Sequence, residues 1–307
     1  MSRMTTALFA SALLAGCSII TSAQAEEDKA ASMAITEQFM PTVEEQELTL
    51  DNSAYADVLA KYVSETEGGV NAFDYAGVTP EDRAKLQEYI QAMSALDPTK
   101  LTRDQKIAYW SNMYNAVTLE VVLANMPVKS IKEIELRDTG QKIEDEGFIT
   151  AIQEVFTNDG PWEAPLVIVN GTELTLNNIE HLILRKMDEP RIHYSINCAS
   201  YSCPNLLAEP WTAEGLDAAL DAAAVDYINH PRAVMQDDQG KITVSSIYEW
   251  FQKDFGGDEA GVIAHMRPYA KDGTKVALET NQIDSFDYDW TLNSPDGIAE
   301  VEEGQES

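Results

Sequence analysis

The stretch from Thr102 to Pro127 restricts the possible folds more than any other. Thr102-x-x-Gln105 is a capping-box pattern: the threonine oxygen takes the third backbone N–H and the glutamine returns to the cap amide, so a helix starts here. Ile107, Trp110, Tyr114, Val117 and Val121 then recur at three- and four-residue intervals, one side of a helix, until Pro127, which has no N–H, stops it. An apolar face of this length needs another layer to cover it.

The remaining segments supply that layer from both structural classes. Thr79-Pro80-Glu81-Asp82 pairs an N-cap with proline at the first helical position and predicts a helix to about Met93. Leu166–Val169, Asn170-Gly171 and Thr172–Leu176 predict a hairpin, because Asn-Gly suits a turn with two positive φ angles. Asn177, with Glu180 three residues on, reads as the cap of a helix ending at Arg185. Ile192–Asn197 reads as a strand, Thr212–Asn229 as an Ala-rich helix, Lys241–Val244 and Lys275–Leu278 as strands, and Ser246–Asp254 and Asp258–Tyr269 as helices. Without a regular βαβ rhythm the expected class is α+β: a single mixed domain over residues 48–293, several helices on a small, largely antiparallel sheet. Residues 26–47 read as a linker and 294–307 as a disordered acidic tail.

Charge narrows the partners. With 21 Lys+Arg against 52 Asp+Glu the net charge is −31. Such a surface repels a phosphate backbone, and no basic cluster reverses it locally, so the expectation is no nucleic-acid binding and easier access for cations and neutral molecules. A small or peptide-like substrate is the expected partner. At the N-terminus, Arg3, the apolar run Ala7–Ile20 and Ala23-Gln24-Ala25 have the form of a secretory leader, residues 1–25, which predicts a periplasmic or secreted protein. Leu14-Ala15-Gly16-Cys17 offers a competing reading as a lipoprotein signal, in which Cys17 is lipidated and anchors the protein to the outer membrane.

Phosphate loops, G-x-S-x-G and H-E-x-x-H are absent from the sequence. Reactive side chains instead concentrate between Glu180 and Cys203: Glu180, His181, His193, Cys198 and Cys203. A cysteine beside an imidazole is held as thiolate, and a carboxylate or amide can orient that ring, so a Cys–His–acid arrangement is one expectation, with Cys198 or Cys203 as nucleophile. Each residue also has a plain structural reading. Glu180 stands where a carboxylate braces a helix start, His193 alternates with Ser195 and Asn197 on a strand, and Cys198 with Cys203 in an oxidising compartment is a disulfide candidate. An extended Ile192–Asn197 would put His193 roughly 16 Å from Cys198, out of reach as its base. No cofactor is expected. A zinc site from the two histidines and two cysteines is the alternative, though H-x11-H and C-x4-C match no familiar ligand spacing. Tyr109, Trp110, Tyr114 and Trp250 read as core, with a sugar-binding aromatic platform as the sharper alternative.

The runs Ile107–Leu119, Pro127–Ile131, Leu176–Arg185, Arg191–Pro204 and Tyr288–Asn293, in that order, resemble the family called domain of unknown function 547, across residues 50–293. The resemblance implies the α+β domain and an exported bacterial setting, and it sets Asn112, Asn115, Glu180, His181, His193, Cys198, Cys203 and Pro204 at motif positions. Asn112 and Asn115 are expected to bind substrate. Three functions follow from these readings: an envelope hydrolase or acyl transferase with a thiol nucleophile, acting on an amide or ester; a non-catalytic binding or scaffold protein with a Cys198–Cys203 disulfide; and a zinc protein.

Overall fold

The computed structural model describes residues 22–40, 48–134, 147–148, 160–279 and 282–305, so most of the leader-like stretch at 1–25, Cys17 included, lies outside it. The domain is α+β, with helices dominating and, among the described residues, three small sheets.

Ten residues, Ser53–Tyr62 (α2), precede the antiparallel pair β1 (Val63–Glu65) and β2 (Asn71–Phe73). Pro80–Ser94 (α3) starts on the Thr79 cap, whose side chain accepts from the Asp82 amide. Arg103–Asn125 (α4) carries the full capping box between Thr102 and Gln105. The helix is more central than a one-faced pattern implies, since every residue from Gln105 to Val122 is buried. Its charged and amide side chains are therefore paired internally: Glu120 accepts from Arg83 and Gln87 at 2.6 and 2.7 Å. Phe39 packs edge-on against Trp110, ring centroids 5.3 Å apart, at the centre of the largest apolar core.

The hairpin forms where Asn-Gly placed it. β4 (Val167–Val169) pairs with β5 (Thr172–Leu174), and the two turn residues have φ of +48° and +73°. β3 (Gly147–Phe148) adds to the outer edge of β4. A second apolar core gathers α5 (Leu216–Ile228), β6 (Val234–Gln236), β7 (Ile242–Ser245), the short α6 (Ile247–Trp250) and α7 (Glu259–Met266). β8 (Ser285–Asp287) runs parallel to β7, so this sheet is mixed rather than wholly antiparallel.

Four expectations need correction. Ile192–Asn197 is not a strand: Glu189 caps a 3-10 turn over Pro190–Tyr194, the proline supplying its first residue. Lys275–Leu278 belongs to a helix, α8 (Asp272–Leu278). The supposed linker holds α1 (Ser22–Phe39), which packs on the site-bearing turn described below, and Thr36 Oγ1 donates to the Leu182 carbonyl at 2.9 Å. The acidic tail forms α9 (Pro295–Gln305), pinned by Ile298, which is buried with Val70, Ala72 and Tyr201. Among the described residues no helix is long and apolar enough to cross a membrane.

Candidate functional site

Glu180, His181, His193, Cys198 and Cys203 line a single cavity of about 360 Å³, and each reaches it for a local reason. The turn carrying Glu180 and His181 is capped by Thr175 and Asn178, each side chain accepting from the other's amide at 3.0 and 3.1 Å. Asn177 is not the cap; its amide nitrogen donates to Glu163, and Glu180 is thereby free of any capping role. The turn then widens into a π-helix, Asn178–Ile183, a form concentrated at functional sites because it leaves carbonyls without their usual partners. The hydroxyl of Thr36 on α1 takes one of them. Replacing Thr36 by Val is expected to cost about 1 kcal/mol in urea unfolding, the usual worth of one such bond.

The 3-10 turn shortens the path that an extended strand would have stretched, so His193 and Cys198 share the cavity after all. Beyond it, Asn197 closes the next loop. Its side chain accepts from the Ala199 amide and donates to the Pro204 carbonyl, both at 2.8 Å, while Ala199 adopts φ of +60°, a left-handed conformation that a non-glycine residue holds only when its surroundings enforce it. The closed loop brings the Cys198 and Cys203 Cα atoms to 6.3 Å, and the sulfurs are joined as a disulfide.

A polar network forms the floor. His193 is buried, its ring stacked on Phe251 at 4.1 Å, and its Nε2 lies 2.8 Å from Asp254 Oδ2. Arg185 grips the same carboxylate through Nε at 2.5 Å and Nη2 at 2.9 Å. Burial opposes the Asp254 charge, but hydrogen bonds from His193 and Arg185 overcome it and hold this carboxyl well below the usual range. A carboxylate can only accept, so Nε2 carries the His193 proton and Nδ1 is left as an acceptor. Burial also lowers the His193 pKa, which keeps the ring neutral. Glu180 Oε1 stands 4.0 Å from that Nδ1. Glu180 is itself buried, and its pKa is pushed up to about 7, desolvation outweighing Arg185 and a hydrogen bond from Tyr114. His181 accepts from Arg185 at 3.1 Å, and burial together with that guanidinium depresses it to about 4. The chain leaves Asp254 through Gly256, where an added Cβ would lie 2.7 Å from Gly261 Cα, so only glycine lets the two segments pass this closely.

The walls are aromatic: Trp162, Trp250, Tyr288 and Trp290, with Phe251 below. The sulfurs face this wall rather than an imidazole. Tyr288 Oη lies 3.0 Å from Cys198 Sγ and 3.1 Å from Cys203 Sγ, and Ser200 Oγ is 3.3 Å from Cys198 Sγ. The histidine nitrogens meet Asp254, Glu180, Arg185, Tyr194, Gly68 and the Arg232 amide instead. The expected thiolate–imidazole pair is therefore not formed: the sulfurs bond to each other. Asn112 and Asn115 also stand elsewhere than expected. Both are buried on α4, Asn112 paired with the Trp211 backbone at 2.8 and 2.9 Å, and Asn115 donating to the Ser195 carbonyl at 2.9 Å while accepting from the Asn197 amide at 2.8 Å. They brace backbone and do not line the cavity. Of the aromatic residues read as core, Tyr109, Trp110 and Tyr114 are core, Tyr114 also bordering the cavity, while Trp250 is exposed at its rim. Among the described residues, no group of three or more His, Cys, Asp or Glu is gathered in a way that could hold a metal.

Sequence reasoning missed Asp254, Arg185, Trp162, Tyr288 and Trp290. Arg185 had a signal, four residues after His181 on one helical face, and Tyr288 and Trp290 sit inside the motif at 288–293. Asp254 had none.

Residues 98–228 match the family described as Protein of unknown function, DUF547. No curated protein and no solved structure matches the chain. The matched segment is narrower than the resemblance at 50–293. It holds α4, the hairpin, Glu180, His181, His193 and both cysteines, whereas Asp254, Trp250, Tyr288 and Trp290 lie beyond it.

Proposed function

We propose that this chain is an acid–base hydrolase of a small ester or amide, exported from the cytoplasm, with Glu180 as the group that moves the proton. The observation supporting it is a buried carboxyl at the floor of an open-mouthed aromatic cavity, its pKa brought to about 7 and its neighbour His193 locked by Asp254 and Arg185. Ionised Glu180 takes a proton from water, the water oxygen bonds to the substrate carbonyl carbon, and the same carboxyl returns the proton to the departing alcohol or amine as the C–O or C–N bond breaks. His193, Asp254 and Arg185 position Glu180 and keep the floor from collapsing; the disulfide closes one wall. An oxidising compartment outside the cytoplasm, which the leader-like residues 1–25 favour, would preserve that disulfide.

The test is hydrolysis of a panel of chromogenic esters and anilides without reductant. Turnover is expected there, and iodoacetamide is expected to leave both the rate and the peptide map unchanged. Reduction should lower the unfolding free energy by about 2 kcal/mol, the loop-closure contribution of so short a crosslink. A second reading, a Cys198 nucleophile released by reduction, is favoured by the opening of Cys198 onto the cavity. Turnover that demands reductant and dies on alkylation would support that reading and end the first.

A further inference from the structure

The cavity wall is unusual in what it lacks. Among the described residues its lining holds the carboxyls of Glu163 and Glu180 and no lysine or arginine. Arg185, which bonds Asp254 and the cavity-lining His181, lies 5.0 Å from the Phe251 centroid. Three segments distant in sequence contribute rings that touch one another: Trp162 to Trp290 at 5.6 Å, Trp250 to Trp290 at 5.7 Å, Trp250 to Tyr288 at 4.8 Å and Tyr288 to Trp290 at 4.6 Å. One edge, one stacked and two tilted contacts turn ring faces in several directions around one space, the form of an aromatic cage. Trp250 is 47% exposed, a large surface for an indole at a cavity rim.

We infer that the ligand of this cavity carries an organic ammonium group, seated among Trp162, Trp250, Tyr288 and Trp290 with a carboxylate nearby. The inference rests on the reading above only in taking this cavity as the ligand site. A sugar would also stack on indoles, but it needs many free donors and acceptors, and most of the cavity's polar groups are committed, leaving the His181 Nε2–H and the His193 Nδ1. Asn177 bonds Glu163, His193 Nε2 bonds Asp254, His181 Nδ1 accepts a hydrogen bond from Arg185, and the Tyr288 hydroxyl is shared among Ser200 and the sulfurs. Beyond those two ring nitrogens the lining offers π faces and carboxylate, the two groups that attract a cation whose own shell offers no strong hydrogen bonds. Trp290 already shows this affinity, with the Lys132 ammonium 5.1 Å from its ring centroid, outside the cavity lining. A net charge of −31 adds long-range attraction of the same sign.

Intrinsic fluorescence reads the site directly, because Trp162, Trp250 and Trp290 are three of the five tryptophans. Titration of the full chain with choline or tetramethylammonium is expected to give a saturable change. The uncharged isostere 3,3-dimethylbutan-1-ol should bind at least about tenfold more weakly, the ratio corresponding to a desolvated cation–π contact. Trp250→Ala should weaken choline about tenfold, with circular dichroism confirming the fold, and Trp250→Phe should recover part of that loss. Equal binding of choline and the isostere, or no saturable response to either cation, overturns the inference, as does preference for glucose or cellobiose. Cosedimentation with phosphatidylcholine vesicles that choline displaces would assign the ammonium to a lipid headgroup; choline binding without cosedimentation would assign it to a free molecule. The two proposals separate cleanly. Cation binding without hydrolysis of any ester overturns the catalytic reading alone, and equal kcat/KM for choline and 3,3-dimethylbutyl esters overturns this one alone.

Discussion

Glu180→Gln should lower kcat/KM for ester hydrolysis by at least about 100-fold, the lower end of what a general acid–base group contributes, and at the same time make the folded protein less sensitive to pH. The two effects have one cause. In the folded protein Glu180 releases its proton near pH 7 because burial penalises the charge, whereas in the unfolded chain it does so at the ordinary carboxyl value of about 4.3. Between those values the native state holds more protons than the unfolded one, so the Glu180 contribution to stability is present below about pH 4.3, falls as pH rises, and is fully lost above about 7. Gln cannot ionise. Urea unfolding of wild type and variant across pH 4 to 8 should therefore show their difference moving in the variant's favour by on the order of 3 kcal/mol, then levelling off. His181 and His193 work in the opposite sense. Their depressed pKa values leave the native state with fewer protons below about 6.5, so stability from them rises with pH and, for His181, is complete only above that point. Both proteins share those residues, so the comparison isolates Glu180. Retained turnover in the variant would remove Glu180 from the chemistry, and a difference that stays flat with pH would remove its buried charge.

Asn115→Ala should destabilise the domain by about 3 kcal/mol, a fall of roughly 6–12 °C in Tm for a domain of this size. Asn115 is buried and holds two backbone groups at once, the Ser195 carbonyl and the Asn197 amide, and truncation leaves both without partners where water cannot replace them. Those two groups flank the passage from the His193 turn into the Cys198 loop, so the loss should also loosen the disulfide loop, measurable as faster amide exchange at residues 197–203. A substrate-binding asparagine would behave differently: KM would rise with Tm almost unchanged. Calorimetry therefore decides whether the position braces the fold or touches the ligand.

Local chemistry made a good part of the fold legible. The α4 capping box, the Thr79-Pro80 start of α3 and the Asn170-Gly171 turn are written in residues a few positions apart, and all three form as read. Elsewhere the local signal pointed wrongly. Ile192–Asn197 alternates like a strand, but Pro190 and the Glu189 cap tighten its start into a 3-10 turn, and a six-residue alternation is too short to outweigh a cap. Asn177 and Thr175 both have capping side chains two residues apart; the reciprocal bond with Asn178 selects Thr175. Residues 295–305 look like a charged tail, yet one apolar anchor, Ile298, finds a buried place against β2 and Tyr201.

The candidate site divides along the same line. Composition and spacing alone were enough to single out Glu180, His181, His193, Cys198 and Cys203, because reactive side chains crowded into one short stretch stand out in any chain. Their chemistry was not readable there. Whether a sulfur meets an imidazole or another sulfur depends on a loop closed by Asn197, and whether Glu180 ionises near neutrality depends on how deeply it is buried beside an arginine held by Asp254, some seventy residues downstream. Proton affinity and redox pairing respond to distances and dielectric surroundings, which come into being only when distant segments pack, whereas caps and turns need nothing beyond their neighbours along the chain.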